Sequence, residues 1–411
     1  MFQGLKKFGL NYCDLQTMIS NVSVFLRLLV INIDKRDKNK IPLISYIVTF
    51  VASACYFYVY CVSMVWFVFW RCAETGDTIA GIVVFSLGVA SEIATFKLLY
   101  MYMYSDTIRD IVEGYITLDR EVVPGSRKSF NLTKSLRVVK KRAILFWCVI
   151  VMNGFVYFAK AVILPGRHVM EDSFIFLGLE PMFETPNYQV AFAANTMGVF
   201  FTCYLTSNIS AFFIIIAGYT EAQMLAISED LIHLWDDANN DSFLNSIDLN
   251  DNNVSPTNKV EILNKNVNKR LIEIIKCHTM NIDLLKKVEN VFQGAIAIEF
   301  FILIVSLIAE LLGGLENTYL QLPFALMQVA MDCITGQRLM DSSSSFALAV
   351  YDSKWEYFDV KNAKIVLLML QNAQKTLKLS AGGITMLSVA CLMSVLRSIY
   401  SAYTTLRTTM N

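Results

Sequence analysis

The sequence has few charged side chains and few of the residues that build catalytic or metal sites. Charged residues make up 17% of the 411 residues, acids and bases balance at 35 each, and only three histidines occur. A balanced charge offers no attraction to a polyanion, so we expect no nucleic-acid partner. The nine cysteines include no CxxC pair, and Cys277 beside His278 gives too few ligands for a metal site. No glycine-rich phosphate loop, GxSxG or HExxH occurs, so we expect neither an enzyme nor a cofactor.

Apolar residues are abundant instead. They make up 55% of the chain, and the mean hydropathy is +0.48. A soluble fold would have to expose much of that surface, so the composition indicates a protein of the lipid bilayer. Most of the six longest apolar segments reach the roughly 20 residues that cross a bilayer. The segments are Ile41–Trp70, Thr78–Tyr100, Ala143–Leu164, Val190–Ala217, Val291–Leu312 and Tyr319–Gly336.

The C-terminal region predicts one helix in two halves. Asn362–Lys378 has apolar residues at helical spacing on one side and polar residues on the other. Ser380–Gly383 then interrupts the helix, and Ile384–Leu406 is long enough to span. The predicted fold is therefore an all-α integral membrane protein with seven transmembrane helices. Its last helix is split into a cytoplasmic half and a membrane-spanning half.

Lys and Arg alternate between the segments that connect these spans. Segments one, three, five and seven, counted from the N-terminal segment, hold seven, nine, seven and six of them. The segments between hold one, one and none, and the C-terminal tail holds one. Because basic residues stay in the cytoplasm, the N-terminus is predicted inside and the C-terminus outside.

The same pattern divides the chain into regions. An apolar stretch, Val22–Ile33, is too short to span and is expected to lie at the membrane surface, with a short buried helix as the alternative. Asp, Asn and Ser dominate the stretch from Asp236 to Asn258, which we expect to be disordered. The predicted regions are 1–40 (cytoplasmic, with an interfacial helix), 41–235 (spans one to four), 236–258 (disordered linker), 259–351 (cytoplasmic helix, then spans five and six), 352–380 (cytoplasmic anchor half of the last helix) and 381–411 (its pore-lining half).

Three acidic residues lie well inside predicted spans, where charge is costly. They are Glu92, Glu299 and Asp332. Each is a candidate for ion passage, a proton site or a ligand contact. The alternative is a structural pairing with another helix, for example with Lys97.

Aromatic and sparse polar residues in the outer halves of the spans predict a pocket for a small hydrophobic ligand. Ordinary helix packing is the alternative interpretation. The candidate ligand-binding residues are Phe85, Gly88, Asn153, Phe155, Phe158, Phe192, Thr196, Phe200, Phe324 and Gln328.

Hydroxyl residues recur every three or four positions along the last helix and therefore share one face. Such a stripe suits a helix that meets water in a pore, although small residues also pack against neighbouring helices in membranes. Arg397, a charged residue, lies near its edge. The candidate pore residues are Ser394, Ser398, Ser401, Thr405 and Thr408.

Several motifs between residues 336 and 403 resemble those of insect odorant receptors. Tyr403 replaces the Phe that is more usual at the end of the family's last motif. The motifs are GQRLMDSSSSFALAVYDSKW at 336–355, Gln371, Leu379-Ser-Ala-Gly382, Met386 with Ser388, and Tyr400-Ser-Ala-Tyr403.

The resemblance implies an odorant-gated, non-selective cation channel in the plasma membrane of sensory dendrites. It further implies a heterotetramer with a shared co-receptor, a pocket among spans two, three, four and six for an odorant or pheromone, and a pore lined by the last helix. The co-receptor has a much longer fourth connecting segment, so this chain resembles a ligand-tuning subunit.

Two other classes of membrane protein share some of these features. A G-protein-coupled receptor also has seven helices, but it places its N-terminus outside and carries an NPxxY motif that this sequence lacks. A secondary transporter would explain the Gly382-Gly383 break and the acidic residues in the spans, but we find no internal repeat.

Overall fold

The computed structural model describes residues 7–37, 40–248 and 256–410. These residues are helical apart from the connecting segments and one small hairpin, so the all-α prediction is confirmed. The helices are α1 (Leu15–Leu28), α2 (Leu43–Thr75), α3 (Thr78–Met103), α4 (Ser105–Arg120), α5 (Arg127–Ile163), α6 (Asn187–Ile232), α7 (Leu234–Asp248), α8 (Pro256–Leu312), α9 (Leu315–Thr318), α10 (Leu322–Tyr351), α11 (Val360–Ala373) and α12 (Val389–Met410).

Five helices in the described part of the chain are long and apolar enough to cross a membrane: α2, α3, α5, α6 and α8. The other two predicted spans are α10 and α12, with 30 and 22 residues. At about 1.5 Å per residue, both exceed a hydrocarbon core of ~30 Å. Serine, threonine and charged side chains interrupt the apolar sequence of these two helices.

Helix α6 is the centre of the bundle. Of its most apolar stretch, 89% is buried, against 28–56% in the other four apolar helices. It packs against α1, α2, α3, α5, α8 and α10. Gly218 allows the closest approach to α5, because a Cβ there would lie 2.3 Å from Cγ1 of Val139. A helix with so little lipid-facing surface explains why its apolar residues show no single-sided pattern.

Helix α10 does not end where its apolar sequence ends at Gly336. It continues through the serine run, where the hydroxyls of Ser344 and Ser345 donate to the carbonyls of Met340 and Asp341, one turn back. These bonds satisfy the hydroxyl groups within the helix itself. The predicted sixth span is therefore the first part of a longer, uninterrupted helix.

Residues 236–258 were predicted to be a disordered linker, but α7 makes the first part of this segment helical. Ion pairs hold α7 in place: Asp237 pairs with Arg127 at 2.7 Å, and Asp241 pairs with Arg270 at 2.7 Å. The acidic composition that predicted disorder thus has basic partners on α5 and α8. Residues 249–255 lie outside the described part of the chain.

The last helix is split as predicted, but by a hairpin. The strands β1 (Ser380–Ala381) and β2 (Thr385–Met386) pair antiparallel. Gly382 and Gly383 form the turn with φ of +62° and +73°, a left-handed conformation that glycine adopts without strain. Helix α12 therefore begins at Val389, five residues after the predicted start.

Helix α1 is packed into the bundle, although Val22–Ile33 was predicted to lie at the membrane surface. Asp14 caps it by accepting a hydrogen bond from the backbone N–H of Thr17 at 2.9 Å. Leu15, Ile19 and Leu26 are fully buried. Contacts with α6 and α2 cover these apolar side chains.

A buried ion pair connects four helices of the bundle. Lys97 of α3 donates to Glu299 of α8 at 2.6 Å, to Ser210 of α6 at 2.7 Å and to Gln328 of α10 at 3.3 Å. Asp332 lines the same small cavity of about 20 Å³. All of these side chains are under 9% exposed. Two of the three acidic candidates, Glu299 and Asp332, are thus beside Lys97. The third, Glu92, instead accepts a hydrogen bond from Cys61 at 3.3 Å.

Lys97→Met should strongly destabilise the protein, because it leaves Glu299 and Asp332 buried without a cation. Loss of one partner of a buried pair costs about 3–5 kcal/mol. We expect a lower midpoint of thermal unfolding in detergent and less protein at the cell surface. Adding Glu299→Gln to this variant should restore much of the loss.

The matched control for this substitution is Lys287→Met, because Lys287 lies exposed on α8. It should leave the unfolding midpoint unchanged. Equal midpoints for the Lys97 and Lys287 variants would show that the pair does not stabilise the bundle.

A candidate ligand cavity in the helix bundle

A small cavity lies between α2, α3, α5, α6 and the start of α10. Its volume of about 40 Å³ exceeds the 10–15 Å³ or so that one water needs, so it can hold a few non-hydrogen atoms. Its lining residues are Tyr60, Leu87, Ala90, Ser91, Asn153, Tyr157, Met170, Glu171, Asn195, Val199, Thr202, Cys203, Gln321 and Phe324.

The loop between α5 and α6, residues 164–186, closes one side of the cavity. Phe174 and Phe176 are fully buried, and the ring of Phe174 packs edge-on against Phe67 of α2 with centroids 5.6 Å apart. This anchor positions Met170 and Glu171 in the cavity wall. The loop is therefore part of the site.

The wall combines apolar surface with groups that can form hydrogen bonds. Gln321 is 3% exposed, and its Oε1 accepts from Ser86 Oγ at 2.7 Å. Its Nε2 is buried without a hydrogen-bond partner among the described residues. Glu171 accepts from Ser173 Oγ at 2.9 Å, and burial raises the pKa of its carboxyl group.

Three of the predicted ligand residues lie at or next to this cavity. Asn153 and Phe324 line it, and Nδ2 of Asn153 also donates to the carbonyl of Leu320 at 2.7 Å. Gln328 lies one turn further along α10, where it accepts from Lys97. Gln328 thus connects the cavity helix to the buried ion pair.

A second predicted group lies together, but outside this cavity. Rings from α5 and α6 form an aromatic ladder: Phe155 and Phe200 lie 5.1 Å apart, Phe158 and Phe200 5.9 Å, and Phe158 and Phe192 6.1 Å. Phe155 is 49% exposed. The hydroxyl of Thr196 bonds back to the carbonyl of Phe192 at 2.7 Å. The structure therefore places these five residues along the α5–α6 contact.

The remaining two predicted residues, Phe85 and Gly88, lie on α3. Phe85 lines a different groove of about 590 Å³, which also touches Leu406 of α12. Gly88 faces α2, where a Cβ would lie 3.4 Å from the sulfur of Met64. Neither residue contributes to the wall of the 40 Å³ cavity.

Among the lining residues that sequence reasoning did not select are Tyr60, Met170, Glu171 and Gln321. Tyr60 lies within a π-helical turn of α2, Phe57–Ser63, which changes the direction of its side chains relative to a regular helix. Met170 and Glu171 lie in a loop without periodicity, and Gln321 precedes α10. The apolar pattern of the spans carries no signal for any of them.

The predicted pore residues share one face of α12. All five hydroxyl residues are exposed on the single chain, whereas Cys391 and Ile399 are buried against it. Arg397 is exposed beside them. The hydroxyl of Thr405 bonds back to the carbonyl of Ser401 at 3.0 Å. The stripe thus faces away from the rest of its own chain. No metal-binding group of three or more His, Cys, Asp or Glu occurs within the described ranges.

Comparison with known proteins identifies relatives of the chain. A family model described as 7tm Odorant receptor matches residues 79–400. Odorant receptor 22c of Drosophila melanogaster is 25% identical over 217 residues, which are 50% of this chain and 50% of that protein. Odorant receptor 30a of the same organism is 37% identical over 65 residues, 16% of this chain and 17% of that protein. The matched regions thus span half or less of these curated relatives.

Solved structures share the fold over nearly the whole chain. The insect olfactory receptor OR5 from Machilis hrabei superposes with a TM-score of 0.71 at 12% identity, covering 95% of this chain and 98% of that one. The same receptor in complex with eugenol gives 0.67 at 12% identity, covering 96% and 98%. The fold is that of an insect olfactory receptor. Because the family model matches well over half of the sequence, the chain belongs to the seven-transmembrane odorant receptor family.

Proposed function

We propose that the chain is the ligand-tuning subunit of an odorant-gated, non-selective cation channel. It binds a small hydrophobic volatile, an odorant or pheromone, in the cavity and opens a central pore. It assembles as a heterotetramer with the odorant co-receptor in the plasma membrane of sensory dendrites. The observation that carries the proposal is a cavity among the membrane helices of a chain whose structural neighbour binds eugenol.

The exposed hydroxyl face of α12 supports the pore part of the proposal. One helix cannot enclose a conduit, so a pore lined by this face would take helices from other subunits as well. The N-inside orientation, which rests on the basic-residue pattern, then places the end of α12 outside the cell.

Helix α10 supports coupling between cavity and pore. Phe324 lines the cavity, and Gly336 meets the residue two positions before α12. A Cβ at Gly336 would lie 2.3 Å from the carbonyl oxygen of Leu387, so the two segments touch through their backbones. A shift of α10 is transmitted directly to the start of α12.

Cells that express this chain with an odorant co-receptor should give inward cation currents to at least one volatile of a broad panel. Each subunit expressed alone serves as the control. The currents should persist when G-protein signalling is blocked and should show unitary steps. Surface expression without any such current would contradict the channel proposal, and loss of the response under G-protein block would favour the receptor alternative.

Phe324→Ala should raise the ligand concentration for half-maximal current about fivefold or more. The ring lines the cavity, and an aromatic contact is worth on the order of 1 kcal/mol or more. Phe155→Ala is the matched control, because that ring is exposed on α5 outside the cavity wall. Equal midpoints for both variants at unchanged surface expression would place the ligand elsewhere.

Cysteine at Ser401, Thr405 or Thr408 should react with charged thiol reagents applied from outside, because these positions lie on the exposed face of α12. Reaction should reduce the current of at least one variant. Cysteine at Ile399, on the buried face, is the control. If none of the three exposed positions is modified, either the stripe lies away from the pore or this end of α12 lies inside.

A further inference from the structure

Gln321 holds an amide group rigidly against the cavity. It is the last residue before α10, and its backbone N–H donates to the carbonyl of Thr318 at 2.8 Å. Its Oε1 accepts from Ser86 Oγ at 2.7 Å. Because the backbone N–H and the amide oxygen both form hydrogen bonds, the protein fixes the orientation of Nε2.

Nε2 of Gln321 has no hydrogen-bond partner within the described residues, and water cannot easily replace one because the residue is only 3% exposed. An N–H group that is buried without an acceptor costs about 1–3 kcal/mol. The bundle interior supplies no bulk water to remove that cost. Since Gln321 lines the cavity, a molecule in the cavity can supply the missing acceptor.

The same wall also contains a hydrogen-bond acceptor. Glu171 is 7% exposed and lines the cavity from the α5–α6 loop. A carboxylate has about four lone-pair positions, and Ser173 Oγ occupies one of them at 2.9 Å. The wall can therefore accept a hydrogen bond from an occupant as well as donate one to it.

A hydroxyl group fits both requirements, because it donates one hydrogen bond and accepts others. A carbonyl compound accepts only, and a hydrocarbon does neither. Resting on the function proposed above, we propose that the ligand is a compact volatile alcohol. Its oxygen accepts from Nε2 of Gln321 and its proton is donated to the carboxylate of Glu171. The remaining lining, including Phe324 and Val199, has to move apart around the carbon skeleton, because the cavity as it stands holds only a few non-hydrogen atoms.

The test compares three matched sets of volatiles on cells that express the chain with the co-receptor. The sets are 1-hexanol, hexanal and hexane; cyclohexanol, cyclohexanone and methylcyclohexane; and benzyl alcohol, benzaldehyde and toluene. In at least one set the alcohol should activate at a concentration about tenfold or more below that of its hydrocarbon, the ratio expected for one unsatisfied buried group. The carbonyl compound should lie between them.

Gln321→Met keeps the length of the side chain and removes the amide. Ser86 retains a partner in this variant, since its single hydroxyl proton can turn to the carbonyl of Val83, 2.7 Å away. The ratio of the activating concentrations of hydrocarbon and alcohol should fall toward one. In this variant the alcohol loses a hydrogen bond, and the hydrocarbon no longer leaves an Nε2 group without a partner. Gln189→Met is the matched control: Gln189 is exposed at the start of α6 and bonds Thr185, so the parental ratio should remain.

The parental chain alone can overturn this inference, whether or not the variants fold. Equal activation by alcohol and hydrocarbon in every set, or responses to other volatiles with silence to all three alcohols, would refute it while the proposed function stands. A ratio that survives in a responsive Gln321→Met variant would also refute it. Failure of the proposed function looks different, because a surface-expressed chain would then give no current to any volatile.

Discussion

The bundle depends on one constraint: a cation placed among apolar helices has to be neutralised and hydrogen-bonded by those helices. Lys97 meets this requirement with Glu299, Ser210 and Gln328, each from a different helix. A Lys ammonium has three donors, and all three are used, so the arrangement of α3, α6, α8 and α10 around it is largely determined. Non-directional packing of Leu, Ile and Phe could not specify one register of four helices in the same way.

Two of the residues around the ion pair lie on α10. Gln328 and Asp332 lie on this helix between Phe324 in the cavity wall and Gly336 against Leu387. From Phe324 to Gly336 the helix rises about 18 Å. Helix α10 is uninterrupted between these residues. The cavity wall, the buried charge and the contact with the segment before α12 thus lie along one helix.

Much of the fold could be predicted from the sequence, because membrane spans are defined by length and hydropathy. The helical class and the split of the last helix follow from apolar runs and from Gly382-Gly383. Helix α7 could not be predicted, since its stability comes from Arg127 and Arg270, distant in sequence from its aspartates.

The candidate site was less predictable, for a physical reason. An aromatic residue in a span has the same hydropathy whether it faces the cavity, as Phe324 does, or a neighbouring helix, as Phe158 does. Only the rotation of each helix decides between these positions, and helices that are apolar all round carry no periodic signal of their rotation. Positions such as Glu171 and Gln321, in a loop and a turn, have no apolar pattern at all.

Part of the cavity wall comes from connecting segments, and this has an evolutionary consequence. Met170, Glu171 and Gln321 line the cavity without belonging to any helix of the bundle. Loops accept substitutions more readily than the elements they connect, because fewer packing contacts depend on them. After gene duplication, one copy can therefore change these positions, and with them the chemistry of its cavity wall, while its helices are inherited intact.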